Sequence, residues 1–108
     1  MNKKRVLSII VTVLAAMFLP LAVLADDGAA VYKAKCASCH AADGSGSTSI
    51  GKSMKLRDLR SEEVQKQTDK ELFTVTADGK GKMPAYKAKL SEADINALVA
   101  HLRVLAKK

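Results

Sequence analysis

Cys36-Ala37-Ser38-Cys39-His40 decides how this chain folds. Two thiols separated by two residues and followed at once by a histidine form the C-x-x-C-H pattern that attaches a c-type haem. Each thiol can add to one vinyl group of the porphyrin, and the two-residue gap sets both sulfurs along one side of the ring. On a helical stretch His40 is then held under the iron, where a neutral imidazole is a ready axial ligand. The motif thus supplies a covalent tether through Cys36 and Cys39 and one of two axial positions.

Three other chemistries use the same residue types. A thioredoxin-like redox centre expects alternating strands and helices around its C-x-x-C, and the sequence shows no such alternation. A structural zinc site needs about four ligands at short paired spacings. Only Cys36, Cys39, His40 and His101 are available, and His101 has no cysteine near it. A simple disulfide would leave His40 without a role.

Working outward, two later stretches keep company with the motif: Gly79-Lys80-Gly81-Lys82-Met83-Pro84-Ala85-Tyr86 and Leu90-Ser91-Glu92-Ala93-Asp94-Ile95. With these three pieces in this order, nearly all of the chain beyond residue 25 resembles a small bacterial single-haem class I cytochrome c. The resemblance implies an all-α class I fold, with short helices wrapped around one covalently bound haem c. It also implies that Met83 is the second axial ligand, opposite His40. Pro84 restricts Met83 to extended backbone, which presents its thioether away from any helix.

Ahead of the motif, Lys3, Lys4 and Arg5 precede an apolar run from Val6 to Leu19, and Val23-Leu24-Ala25 offers a cleavage site. This reads as a secretory signal peptide over residues 1–25, which places the mature domain, residues 26–108, in the periplasm. An uncleaved anchor is the alternative, against which Pro20 and the Ala25 site count. Once the leader is cleaved, nothing is left to insert stably into a membrane. With the three leader cations gone, 15 of the 18 basic residues face 11 acidic ones, a net charge of +4. A domain of that size with no tryptophan has a thin core of its own, and a flat apolar macrocycle can fill it. The apoprotein is therefore expected to fold poorly.

Asp26 and Asp27 suggest a cap for a helix that runs into the motif, with Gly28, Ala29 and Tyr32 sharing a face. The resemblance makes the C-terminal helix its partner. Residues 41–49 read as a loop. Relatives often carry a proline here whose carbonyl takes a hydrogen bond from the axial histidine. This chain has none between Cys39 and Pro84, which leaves the carbonyls of Ser47 to Ile50 as candidates. Met54, Leu56 and Leu59 are expected to wrap the haem edge, with a short helix capped by Ser61. Thr68-Asp69-Lys70-Glu71 is a capping box for a helix to about Ala77, stopped by Gly79. A second box, Ser91 to Asp94, opens a helix on which Ile95, Leu98, Val99, Leu102 and Leu105 repeat. On that helix His101 stands where the resembled family usually carries an aromatic residue, and a packing or surface role is expected of it in preference to iron ligation.

Together these readings give an exported monomeric electron carrier and no enzyme. The rival is a haem protein with an open sixth site, acting as a peroxidase or small-ligand sensor. Against it, no distal acid or base lies near Met83 in sequence. A subunit of a larger complex is a third reading. Lys33, Lys35, Lys52, Lys80, Lys82, Lys87 and Lys89 fall on segments expected around the haem edge, so redox partners with an acidic docking face fit. Lysines scattered among acidic residues without interleaved aromatics do not suit nucleic acid.

Overall fold

The computed structural model describes residues 27–108; the leader read from residues 1–25, and Asp26, lie outside the described residues. Among the described residues there are six helices: α1 (Gly28–Lys35), α2 (Ala37–His40), α3 (Ser49–Met54), α4 (Glu62–Gln65), α5 (Asp69–Asp78) and α6 (Glu92–Leu105). Among the described residues there is no strand, only an isolated antiparallel bridge between Lys80 and Met83.

Local chemistry starts each long helix. Asp27 caps α1 by accepting from the Ala29 N–H at 3.1 Å. Thr68 with Glu71, and Ser91 with Asp94, close reciprocal capping boxes at the heads of α5 and α6, and Gly79 ends α5. Each cap satisfies N–H groups that would otherwise be orphaned in the first turn.

The frame of the molecule is the crossing of α1 on α6. A Cβ on Gly28 would run into the carbonyl of Ala97, so the two backbones touch where no side chain fits. Val31 and Tyr32, three and four residues on, follow on the same face and pack with Cys36, Leu98, Leu102 and Leu105. Ala29, expected on that face, is exposed instead. One residue from Gly28 is a rotation of about 100° in a helix of 3.6 residues per turn, which takes it off the contact line. On the next face of α6, Val99 joins Val64 and Leu72 in a second cluster that anchors α4 and α5.

The helix α3 stands partly in the stretch read as a loop. Its cap is Thr48, whose Oγ1 accepts from the Gly51 N–H at 2.9 Å while its hydroxyl donates to the Cys39 carbonyl at 2.7 Å. Arg103 also ties elements together in a way the sequence did not reveal. Its guanidinium donates to the carbonyls of Gln65 at 2.8 Å and Gln67 at 2.6 Å and to the Asp69 carboxylate at 2.9 Å. Gln65 in turn donates to the Leu59 carbonyl at 2.7 Å, so α6 clasps the whole α4 to α5 turn.

Candidate haem site

Between the α1–α6 frame and residues 54–86 lies a cleft with two adjoining parts, of about 300 Å³ and about 210 Å³. Cys36, His40, Leu56, Lys80 and Met83 border both parts. The larger is walled by Tyr32, Leu59, Val64, Leu72, Val75, Thr76, Leu98 and Leu102, with Arg57 and Gln67 at its polar margin. Around the smaller are Lys35, Cys39, Met54, Lys82, Pro84 and Tyr86. A long, mostly apolar slot with a few polar groups matches the usual form of a cofactor site.

The motif side is built from α1 and α2. Both cysteines are free thiols. Burial, and to a lesser degree the neighbouring Cys39, pushes the Cys36 thiol up to about 11. Burial lowers the His40 imidazole below its ordinary value, so the ring is neutral and has a lone pair to give to a metal. Its Nδ1 is buried without a hydrogen-bond partner among the described residues. The expectation that a carbonyl of Ser47 to Ile50 would take this bond is therefore not met. Thr48 caps α3 and Ser49 and Ile50 begin it, and the Thr48 carbonyl is engaged by the Lys52 N–H at 2.9 Å. Just past His40, Ala41 is held at φ 68° and ψ 159°, a conformation nearly reserved for glycine. The Tyr32 hydroxyl fixes it there, donating to the Ala41 carbonyl at 2.6 Å.

The opposite side is the loop after α5. Lys80 and Met83 exchange backbone hydrogen bonds of 3.2 and 3.0 Å, which holds Met83 extended, as Pro84 led one to expect. Gly79, at φ 76°, makes the turn possible, since a Cβ there would lie 2.6 Å from the Met83 carbonyl. The Tyr86 and Lys87 N–H groups donate to the carbonyls of Thr76 and Ala77, each at 3.1 Å, and dock the loop on α5. The Tyr86 hydroxyl then reaches the Lys35 carbonyl at 3.1 Å, strapping the Met83 loop to the end of α1 beside Cys36. In the sequence nothing assigns Tyr86 this role. Its only signal was an aromatic residue placed just after Met83-Pro84-Ala85.

Cys36, Cys39, His40 and Met83 thus come together at one cleft. Met54, Leu56 and Leu59 also border it, as expected for the haem edge. His101 does not. Its ring lies 5.2 Å from that of Tyr32, in the α1–α6 packing. Of the seven lysines, Lys35, Lys80 and Lys82 border the cleft, whereas Lys87 is engaged with Asp78 at 3.3 Å. The residues fit a haem: an apolar slot, two thiols at one end, a neutral imidazole and a thioether.

Residues 23–102 match the family described as cytochrome c oxidase, cbb3-type, subunit III. The chain belongs to the class I c-type cytochromes. It is similar to cytochrome c6 of Microcystis aeruginosa, 34% identical over 82 residues that cover 76% of this chain and 98% of that one. Cytochrome c6 of Picosynechococcus sp. (strain ATCC 27264 / PCC 7002 / PR-6) is 32% identical over 108 residues, 92% of each chain. Among solved structures, the KustC0563 c-type cytochrome superposes with a TM-score of 0.68 at 30% identity, covering 73% of this chain and 96% of that one. This c-type cytochrome carries a covalently bound haem c with its iron and serves as an electron carrier. The peroxidase or sensor alternative finds no support in these relatives. No helix among the described residues is long and apolar enough to cross a membrane.

Proposed function

We propose that this cytochrome is an exported one-electron shuttle, with Cys36 and Cys39 as the haem thioethers and His40 and Met83 as the axial ligands of its iron. The observation that carries the reading is the convergence of these four side chains on one apolar cleft. Bound haem supplies an iron that gains or loses one electron without a bond being made in a substrate. His40 donates from a neutral ring, and the soft thioether of Met83 favours the ferrous state, which raises the reduction potential. With both positions filled by protein, oxygen and peroxide have no open site, so the protein is not an enzyme. Tyr86 and the Lys80–Met83 bridge limit movement of Met83 when the charge on the metal changes.

Lys35, Lys80 and Lys82 surround the part of the cleft that holds Cys39, and through this edge the electron would pass. Three cations there would steer an acidic redox partner into place, an attraction that weakens as salt brings the screening length to about 10 Å near 0.1 M. The protein acts as a monomer in the periplasm after cleavage behind Ala25. Relatives matched over 98% and 92% of their length carry the name cytochrome c6, which favours a free carrier over a fixed subunit of an oxidase.

The test separates the two methionines at the cleft. Met83→Ala is expected to abolish the sulfur-to-iron absorption band, lower the potential and admit cyanide, whereas Met54→Ala and His101→Phe keep the band. Loss of the band in Met54→Ala with Met83→Ala silent would refute the ligand assignment.

A further inference from the structure

Among the described residues, the hydrogen bonds of the Met83 loop run in two directions. Most stay on its own side of the cleft. The Lys80–Met83 pair closes the loop on itself, the Lys89 and Leu90 N–H groups donate to the Tyr86 carbonyl at 2.9 and 2.8 Å, and Tyr86 and Lys87 bind α5. One crosses to the motif side, from the Tyr86 hydroxyl to the Lys35 carbonyl. That carbonyl belongs to the last residue of α1. The break at Cys36 leaves it without a backbone donor, because the Cys36 carbonyl takes the N–H groups of Cys39 and His40 at 3.2 and 2.9 Å. We infer that Tyr86 is the positioning residue for Met83: its bond to Lys35 sets how often the thioether leaves the haem iron and an outside ligand can take its place.

Met83 has little else to hold it against the motif side. Its neighbours Lys82, Pro84 and Ala85 are exposed, and Leu90, which packs on the α1–α6 core, lies seven residues further along. Tyr86 is only three residues away, and both border the smaller part of the cleft with Lys35, Cys36 and Cys39. For the thioether to retreat from a position opposite His40, the loop must move away from α1 and α2, and the hydrogen bond that this motion stretches is the one from Tyr86. Burial raises the Tyr86 phenol above its ordinary value, so it stays a donor at neutral pH. Tyr86 is half-buried, and water can replace the carbonyl when the bond opens. The bond therefore shifts the balance between closed and open loop by a modest factor, about two- to tenfold. The inference rests on Met83 as the axial ligand and adds what keeps it there.

The experiment is cyanide binding to exported, haem-loaded ferric protein. Cyanide needs an open site, so its apparent affinity follows the fraction of molecules in which Met83 is away. Y86F keeps the ring and the sulfur-to-iron band but loses the strap, and its cyanide affinity rises about two- to tenfold over the wild type. In a Met83→Ala background the site is already open, and adding Y86F changes nothing further. A Y86F protein with the wild-type affinity overturns the inference. So does an equal rise in both backgrounds, which would make Tyr86 a shield over the entrance and not a support for Met83. A sulfur-to-iron band that survives in Met83→Ala sinks the ligand reading instead, so the two ideas fail by different results. Should Y86F not retain haem, nuclear Overhauser contacts between the Tyr86 ring and Lys35 in the wild type decide. Their loss when cyanide displaces Met83 supports the strap, and their persistence in the cyanide complex refutes it.

Discussion

The crossing of α1 on α6 and the loop that carries Met83 are both essential to the cleft, yet they are held by different physics. The crossing is packed protein on protein even where it also walls the cleft: Tyr32, Ile95 and Leu98 are no more than 2% exposed, and Gly28 lies against the backbone of Ala97. The loop is held mainly by backbone hydrogen bonds and one tyrosine strap, and Lys80, Gly81, Lys82, Pro84 and Ala85 are exposed. One region makes its own core. The other faces a slot whose apolar walls are satisfied by a cofactor. Full burial of each large aliphatic side chain is worth about 1.5–3 kcal/mol, so in the haem-loaded protein the crossing is held more firmly than the loop.

The largest expected effect breaks both regions at once. Replacing Cys36 and Cys39 together by alanine should eliminate haem that survives denaturing electrophoresis. It should also leave a chain with little fixed tertiary structure by near-ultraviolet circular dichroism, because the cleft then exposes its walls to water. A haem-free double variant as stable as the wild type would mean that the loop does not depend on the cofactor.

Next in size, Gly28→Val attacks only the crossing. The new side chain meets the Ala97 carbonyl and the His101 Cβ, and backbone cannot yield as a flexible side chain can. Overpacking of this kind should cost about 3 kcal/mol or more and lower the melting temperature by over about 10 °C. The sulfur-to-iron band should survive in the folded fraction. If the melting temperature does not move, the two helices are not in backbone contact.

The smallest effect sharpens the boundary between the regions. Tyr32 belongs to the crossing, but its hydroxyl holds Ala41 next to His40. Tyr32→Phe leaves a buried carbonyl without its donor and should cost about 1–2 kcal/mol. Burial, with lesser pushes from Cys36 and Asp43, raises the Tyr32 phenol from 10 to about 12. A raised pKa favours the protonated form in the folded protein. Its stabilising contribution is therefore complete below about pH 10 and is lost as pH climbs toward 12. Melting curves across that window should fall more steeply for the wild type than for Tyr32→Phe; parallel curves would show that Tyr32 does not ionise on unfolding.

Much of this was legible in the chain because it is local. Capping boxes at Thr68 and Ser91, the stop at Gly79, the 3.6-residue repeat on α6 and the C-x-x-C-H run all act within a few residues of themselves, so their spacing carries their meaning. The extended backbone of Met83 followed from Pro84 in the same way. Other features were hidden for the opposite reason. The helix α3 starts at Thr48, whose cap is completed by a contact to Cys39, nine residues back. Its sequence, Ser-Ile-Gly-Lys-Ser-Met, has no apolar repeat long enough to read.

By itself, then, the sequence determined the motif, the extent of α5, the start of α6, and which side chains are apolar. Only the tertiary structure decided that Ala29 leaves the α1 face, that His40 Nδ1 finds no carbonyl, that Arg103 clasps the α4 to α5 turn and that Tyr86 straps the Met83 loop to Lys35. These depend on the angle and distance at which separate segments meet. Arg103 and Gln65 are 38 residues apart, and Tyr86 and Lys35 are 51 apart. No periodicity spans such separations; packing around the cleft brings them to hydrogen-bonding range.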